Sequence, residues 1–310
     1  MPISAVDTPT PAPPLAHAGY DHASAVFTAR SAPVLEVDQD ERFTLHTRSL
    51  LTGGMFEAGE FEKCSIPVTG PVLVRGARPG DALRVDIHEI CIADRGAMIT
   101  LPGRGAFGRT LGRFGHIVQI TDGTVQFGDG IAIPVRPMIG KIGVAPDAGE
   151  PSSSTVGTHG GNMDCKDITV GAVVVLPVQL DGALLFAGDL HAAQGDGECS
   201  LTGVEVEGTI TLSCRVVPGA APSRPVILSD GRVITMGDGE DLGEAAQVSL
   251  DAMLGLVVND RGWEHEKAAM LLSAAADVAV SQLVNARPSV KTSLPYPYFS
   301  RLPFSSDSPS

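Results

Sequence analysis

The sequence has few basic residues, few aromatic residues and no long apolar run. Lysine and arginine together number 22 against 36 acidic residues, so the formal net charge is -14. Nucleic acids and anionic membrane surfaces bind basic proteins, so this charge predicts neither as a partner. No apolar run approaches the ~20 residues of a membrane-spanning helix. These absences leave a small molecule as the expected ligand.

A signal for export is missing as well. No lysine or arginine precedes Arg30 and no apolar core stands near the start, so we expect no signal peptide. The five cysteines are odd in number and show no C-x-x-C spacing, which is typical of reduced thiols. They are Cys64, Cys91, Cys165, Cys199 and Cys214. We therefore predict a cytoplasmic protein.

The composition divides the chain into four parts. With 310 residues and 43% apolar content, the chain is long enough to bury a large core. Proline-rich residues 1–20 predict a flexible arm, and residues 305–310 a frayed tail. Residues 21–242 form a predicted β-rich domain that carries the functional site. Residues 243–304 are predicted to be a helical part packed on that domain.

Alternation of apolar and polar residues predicts many short strands, as in residues 82–90. Glycine, proline and aspartate separate these segments. Strands that follow one another without intervening helices favour a sandwich or a barrel over a doubly wound sheet. The further predicted strands are 116–121, 170–178, 183–187 and 208–217.

The pattern becomes helical after Gly243. Residues 244–258 and 263–285 have apolar side chains at helical spacing, which predicts two helices joined by a turn at Gly262. We interpret the apolar stripe of the second helix as core rather than as a cofactor face. Its members are Ala268, Leu271, Leu272, Ala275, Val278 and Leu283.

Chemically reactive side chains are concentrated between Gly157 and Glu198, where two imidazoles and several carboxylates lie among glycines. Asp189 and His191 follow an apolar segment. Because side chains at positions i and i+2 of a strand point to the same face, one metal ion can reach both. This density predicts a site rather than a surface.

The sequence blocks around these residues resemble the acetamidase/formamidase family. The resemblance rests on Gly-Gly-Asn-Met-Asp at 160–164 and on Phe-Ala-Gly-Asp-Leu-His-Ala-Ala-Gln-Gly-Asp-Gly-Glu at 186–198. Further blocks occur in the family's order at 67–72, 76–81, 137–140 and 143–146. Residues 45–50 depart from the family, which often has an E-T-x-D segment there, so one carboxylate of the usual pocket is missing.

The resemblance implies a mainly β fold, with a β-sandwich core, a smaller α/β part and two C-terminal helices. It also implies hydrolysis of short amides to ammonia and a carboxylic acid, dependence on a divalent metal, usually Zn²⁺, and a dimer or larger homo-oligomer. The expected substrate is a small linear amide of the formamide or acetamide type.

Amide hydrolysis needs a nucleophile, an oxyanion donor and a proton for the leaving nitrogen. We expect Asp164, Asp189 and His191 to be the metal ligands, with His159 as a fourth ligand or a catalytic neighbour. Glu198 is the candidate general base. Asp196 stands two residues before Glu198, and the sequence leaves open which of the two is the ligand and which the base.

Substrate contacts are expected from the same two segments. Asn162 and Gln194 can hold a carboxamide by hydrogen bonds. The glycines, Gly161 among them, can bring backbone N–H groups close to an oxyanion or can simply form turns.

Three alternatives stay open at this point. The substrate can be a cyclic amide such as a lactam, or the protein can be a non-enzymatic binding protein with a structural metal ion. Cys165 can be a nucleophile activated by Lys166, although a regular strand would point Cys165 away from Asp164. The G-x-G-x-x-G match at 103–108 lacks the βαβ context of a dinucleotide site, and we interpret this region as a loop near the pocket.

Overall fold

The computed structural model describes residues 15–63 and 66–305. Most of the predicted arm, the end of the predicted tail (306–310) and Cys64 lie outside the described residues. Residues 16–18, which were assigned to the arm, form a strand instead, because they pair with residues 43–45.

The described residues fold mainly into β-strands of one large, curled sheet. The first strands are β1 (Ala16–Ala18), β2 (Ala23–Ser24), β3 (Leu35–Val37), β4 (Arg42–Thr47), β5 (Val68–Val74), β6 (Ala82–Thr100), β7 (Phe114–Thr121), β8 (Thr124–Gly128) and β9 (Ile131–Pro134). The later strands are β10 (Met138–Val144), β11 (Val156–Gly157), β12 (Gly160–Asn162), β13 (Val173–Pro177), β14 (Leu185–His191), β15 (Glu205–Val217), β16 (Val226–Ser229), β17 (Arg232–Asp238), β18 (Asp277–Gln282) and β19 (Ser289–Pro295). Short 3-10 turns are Tyr20–His22, Phe61–Lys63 and Tyr296–Tyr298.

Strand pairing is almost entirely antiparallel in the described chain. The exceptions are the parallel pairs β1–β4 and β3–β5. The longest strand, β6, pairs with β15, β13 and β7. The mainly β prediction is therefore confirmed, and all the strands predicted from alternation occur. Four of them have bounds that shift by a few residues, whereas β6 continues ten residues beyond the predicted end at residue 90.

Two helices, α1 (Leu242–Arg261) and α2 (His265–Ala275), pack on the strands near the C-terminus. Asp241 caps α1, since its side chain accepts a hydrogen bond from the Glu244 N–H at 2.9 Å. Gly262 ends α1 in the left-handed conformation, as predicted for the turn. The two C-terminal helices are thus confirmed.

The predicted length of the second helix was wrong. Helix α2 ends at Ala275, and residues 277–282 form β18, which pairs with β19. Val278 and Val280 are β-branched and alternate with small residues, so this segment suits a strand once a partner strand is present. Val278 is 48% exposed and does not belong to an inward helical stripe.

The hydrophobic core divides into a large cluster within the strands and a second cluster under the helices. The second cluster joins β16, β17 and β19 to both helices, which gives the smaller α/β part. No helix in the described ranges combines the length and the apolar character needed to cross a bilayer.

Four neighbouring strands bring the reactive residues together. β10 lies between β12 and β14, and β14 also pairs with β15. In this register Lys141 is opposite Asn162, and His191 is opposite Glu205. Polar side chains from distant parts of the sequence therefore meet at one end of these strands.

Candidate active site

A buried histidine and four buried carboxylates form the centre of the site. The ligand atoms of Asp164, Asp189 and His191 lie within 4.8 Å of one another, and so do those of His191, Glu198 and Glu205. Nε2 of His191 is 3.6 Å from Asp189 Oδ1 and 3.1 Å from Glu205 Oε1. The two groups share His191, so they make one continuous cluster.

Gln194 sets the orientation of the His191 ring. Its Nε2 donates to the backbone oxygen of Asp164 at 2.6 Å, so its Oε1 faces Nδ1 of His191, also at 2.6 Å. An amide oxygen only accepts, which means that Nδ1 carries the proton. In the neutral ring Nε2 is then an unprotonated nitrogen directed at carboxylates, which is the arrangement of a metal-binding histidine.

Five atoms of the cluster are buried and have no hydrogen-bond partner among the described residues. They are Asp164 Oδ1, Asp189 Oδ1, His191 Nε2, Glu198 Oε2 and Glu205 Oε2. Burial of polar atoms without partners costs on the order of 1–3 kcal/mol each by mutational data, and more for charged groups. A divalent cation with oxygen and imidazole ligands would offset this cost, so the residues present fit a metal ion.

The backbone supports this convergence at some conformational cost. Asp164, Asp189 and Glu198 have φ values of 44°, 63° and 46°, a region that non-glycine residues seldom adopt. Such strain concentrates at functional sites, where the surrounding structure holds it. Gly140 makes room for the acids, because a Cβ there would lie 2.7 Å from Asp164 Oδ1 and 2.9 Å from Asp189 Oδ2.

Lys141 adds a buried positive charge beside the acids. Its Nζ donates to the backbone oxygen of Ile66 at 2.7 Å and lies 3.3 Å from Asp189 Oδ2. Burial alone would lower the pKa of Lys141, but the charges of Asp189, Asp164 and Glu205 raise it. Lys141 is therefore a permanent cation within the site.

The charges act differently on each acid. Burial and the neighbouring Asp189 raise the pKa of Asp164 to about 6. Burial also raises the pKa of Glu205 to about 8 and that of Glu198 well above its ordinary value. Burial opposes ionisation of Asp189 too, but Lys141 and His191 hold its pKa well below the usual range. Without a bound cation, the carboxyl groups with raised pKa values, Glu198 and Glu205, are therefore protonated at neutral pH.

His191 responds to the same charges. Burial would lower its pKa, yet Glu205 and Asp189 raise it well above the ordinary value. A cation that binds at Nε2 must displace this proton.

A pocket of about 230 Å³ opens onto the cluster. Lys141, Asn162, Asp164, Asp189, Glu198, Glu205 and Asn285 line its polar part. Leu50, Phe61, Ile66, Ile99, Leu101 and Leu201 line its apolar part. Asn162 is 5% exposed, and its Oδ1 has no partner among the described residues, so this oxygen is available to a ligand in the pocket.

Two of the predicted catalytic residues lie elsewhere. His159 packs edge-on against Phe27, with ring centroids 4.9 Å apart, and does not line the pocket. Burial lowers the pKa of His159 to about 4. Asp196 pairs with Lys166 at 2.9 Å and with Lys291 at 2.7 Å, so its carboxylate points away from the cluster.

The predicted substrate-binding residues divide in the same way. Asn162 lines the pocket, whereas Gln194 uses both ends of its amide on His191 and Asp164 and acts as a positioning residue. Gly161 has a φ of 96° and lies in β12, opposite Ile142, so its position is explained by the strand. Asp164, Asp189, His191 and Glu198 come together in the cluster as the prediction requires.

Sequence analysis missed Lys141, Glu205 and Asn285. Lys141 is the one charged residue of the buried strand Met138–Val144, which was a usable signal. Glu205 alternates with valines at the start of β15, a pattern that predicts a solvent-facing side chain. Asn285 donates to Asp164 Oδ2 at 3.1 Å from a loop after β18, where no local pattern marks it.

The cysteine alternative does not fit this geometry. Cys165 is fully buried in the core cluster of the strands, and burial raises the pKa of its thiol to about 11. A nucleophilic cysteine needs a lowered pKa and access to substrate. Cys165 has neither.

Comparisons with known proteins agree with the predicted resemblance. The model of the Acetamidase/Formamidase family matches residues 146–301. An acetamidase from Mycolicibacterium smegmatis is 39% identical over 80 residues, which span 24% of this chain and 20% of that protein. The aligned stretches cover 15% to 20% of the curated relatives' own length.

Solved structures extend the similarity to nearly the whole chain. An acetamidase from Bacillus halodurans is 34% identical with a TM-score of 0.87, over 91% of this chain and 98% of that one. A gamma lactamase from Delftia acidovorans is 20% identical with a TM-score of 0.63, over 90% of each chain, which shows a shared fold alone. The family model and the Bacillus structure together establish that the chain belongs to the acetamidase/formamidase family.

Proposed function

We propose that this protein is a metal-dependent amidohydrolase that splits the C–N bond of a small linear amide into ammonia and a carboxylic acid. The observation that carries the proposal is the set of five buried ligand atoms in the cluster that have no hydrogen-bond partner among the described residues. Membership of a family whose relatives are named acetamidase and formamidase supports the substrate class.

Asp164, Asp189 and His191 would hold one divalent cation, with Zn²⁺ as the first candidate. Their ligand atoms lie within 4.8 Å of one another, and the hydrogen bond from Nδ1 to Gln194 leaves Nε2 for the ion. Such an ion lowers the pKa of a bound water to ~7 and polarises a carbonyl group. Glu205, 3.1 Å from Nε2, supplies a further oxygen beside the same ring.

Glu198 is suited to carry the proton from water to the leaving nitrogen. Its Oε1 accepts the Gly203 N–H at 2.9 Å, while Oε2 is buried and has no partner in the described chain. One oxygen is therefore fixed and the other is free to take up a proton. Its raised pKa favours the protonated form that must later donate to nitrogen.

Asn162 and Lys141 would orient the amide. The amide oxygen of Asn162 can accept an N–H of the substrate. Lys141 has three N–H groups, of which Ile66 and Asp189 engage two, so one is available for the carbonyl oxygen of the substrate. Negative charge that develops on this oxygen is stabilised by such a donor.

The test combines metal content with ammonia release. Formamide, acetamide and propionamide are assayed before and after dialysis against a chelator, and again after addition of Zn²⁺ or Mn²⁺. We expect activity to disappear with the metal and to return with one of the ions. Activity that survives complete metal removal would contradict the proposal.

Three substitutions separate the roles. D189N and H191Q should lose bound metal, whereas E198Q should keep the metal and lose turnover. Metal bound without hydrolysis of any amide by the unsubstituted protein would favour a structural ion in a binding protein.

We further propose a homo-oligomer in the cytoplasm. The four described cysteines are free, which suits a reducing compartment. Phe114 on β7 and Ile131 on β9, the two strands that flank β8, are 63% and 55% exposed, and such apolar surface favours self-association. Size-exclusion chromatography with light scattering measures the number of subunits.

A further inference from the structure

The glycine-rich loop between β6 and β7 is fixed against the segment that follows Glu198. The Ala106 N–H donates to the backbone oxygen of Cys199 at 2.9 Å. Gly105 approaches so closely that a Cβ there would lie 2.7 Å from the backbone oxygen of Ser200. These contacts fix the backbone of Arg104 at the mouth of the pocket, which it lines.

The positive charge of Arg104 is not used within the described chain. Its side chain makes no ion pair or hydrogen bond with residues 15–63 or 66–305. The acidic residue on the same rim, Glu62, is engaged by Arg113, with distances of 2.6 and 2.9 Å. Arg104 is thus an exposed cation with no ion partner in the described chain, and it lines the same pocket as the carboxylate cluster.

The pocket is larger than formamide or acetamide requires. One water molecule needs about 10–15 Å³ of such a cavity, so about 230 Å³ has room for a ligand several times that size. Its lining is mixed, and the apolar part includes Ile99, Leu101 and Leu201. A ligand that fills this space has a short methylene chain between two polar ends.

We infer that the substrate is the monoamide of a short dicarboxylic acid, with succinamate as the simplest example. This inference rests on the proposed function of the same site. The amide lies on the floor between Asn162 and Lys141, and the distal carboxylate pairs with Arg104. The acids of the floor repel a carboxylate, so they exclude the reversed orientation. Water adds to the amide carbon, the C–N bond breaks, and the products are ammonia and the dicarboxylate.

The test compares succinamate with butyramide, which has the same chain length and no charge. The unsubstituted protein should prefer succinamate in kcat/KM by at least about tenfold. R104Q should raise KM for succinamate by about 10- to 100-fold and change KM for butyramide far less. R104K should recover part of the preference. Arg109, an exposed arginine of the same loop that does not line the pocket, gives the matched control R109Q.

The outcomes distinguish this inference from the proposed function. If the unsubstituted protein hydrolyses no amide, both fall. If it hydrolyses butyramide and succinamate with equal kcat/KM, or if R104Q raises KM equally for both substrates, only the inference falls. If R109Q raises KM for succinamate as much as R104Q does, the preference comes from the overall charge of the loop rather than from a contact with Arg104, and the inference falls. Metal content and melting temperature verify that R104Q is folded. If R104Q does not fold, the inference is decided by whether the unsubstituted protein prefers succinamate to butyramide.

Discussion

Oε1 of Gln194 lies 2.6 Å from Nδ1 of His191, while the other end of the same amide holds the backbone oxygen of Asp164. One side chain thus fixes the tautomer of one ligand and the backbone position of another. In the proposed metal site Gln194 would be an outer partner, one that orients the ligands and never touches the ion.

Replacement of Gln194 should weaken metal binding without removing a ligand. We expect Q194M to lower affinity for Zn²⁺ by about 10- to 100-fold, because the ring of His191 loses the acceptor that fixes its tautomer. Q194E keeps an acceptor for Nδ1 and should retain more affinity. Competition with a chromophoric chelator measures both constants, and equal affinity in Q194M would exclude the positioning role.

Metal binding should release protons. The pKa of His191 is raised well above its ordinary value, so Nε2 is protonated in the metal-free protein at pH 7. Because the ion and the proton compete for Nε2, affinity should fall as the pH falls and rise as it rises. Calorimetry in buffers of different ionisation enthalpy counts the protons. Release of fewer than one proton at pH 7 would contradict ligation by His191.

His159 should make the fold sensitive to acid. Its folded pKa is about 4 against 6.5 for an ordinary histidine, so the unfolded chain binds the proton first. Protonation of His159 therefore destabilises the folded protein. This cost is absent above pH 6.5 and grows as the pH falls towards 4, up to about 3 kcal/mol. H159Q should show a smaller loss of unfolding free energy between pH 7 and pH 4.5, measured with urea. The exposed residue His265 provides the control H265Q.

A methyl group at Gly140 should separate the two acids that flank it. The added Cβ of G140A would lie 2.7 Å from Asp164 Oδ1 and 2.9 Å from Asp189 Oδ2. We expect bound metal to be lost while the sheet persists, as judged by metal analysis and circular dichroism. Gly112 has nothing within 4 Å of the corresponding position, so G112A should keep its metal.

Cys165 should be dispensable for turnover. Its thiol is buried with a pKa raised to about 11, so a thiol reagent should modify Cys91 and Cys199 in the native protein and spare Cys165. C165A should retain kcat and lose some stability, by about 1 kcal/mol. Loss of kcat in a folded C165A protein would revive the nucleophile alternative.

Sequence patterns predicted the part of the site that depends on one strand or one motif. Asp189 and His191 share a face of β14 because alternation is a local property. Asp164 and Glu198 came from the family's motif blocks. Glu205 and Asn285 join the cluster only through strand pairing and loop position, which no local pattern encodes.

The errors have the same physical origin. Residues 277–282 follow an alanine-rich helix and would extend it, but pairing with β19 outweighs that local preference. His159 directly precedes one motif block and Asp196 lies within the other, yet Phe27 packs on His159, and Lys166 and Lys291 pair with Asp196. Proximity in sequence to a ligand did not mean proximity in space.

The pairing of β15 with β4 has a kinetic consequence. It places Gly208 beside Thr47, 161 positions earlier in the chain. Contacts between residues so far apart form slowly, since a long loop must close first, and folds of this type take milliseconds to seconds. Glu205 begins β15 and lies opposite His191 of β14, so the cluster is complete only when the last of its four strands has paired. If the cluster binds a metal ion as proposed, the complete set of ligands therefore exists only in the folded protein, and the ion enters through the pocket.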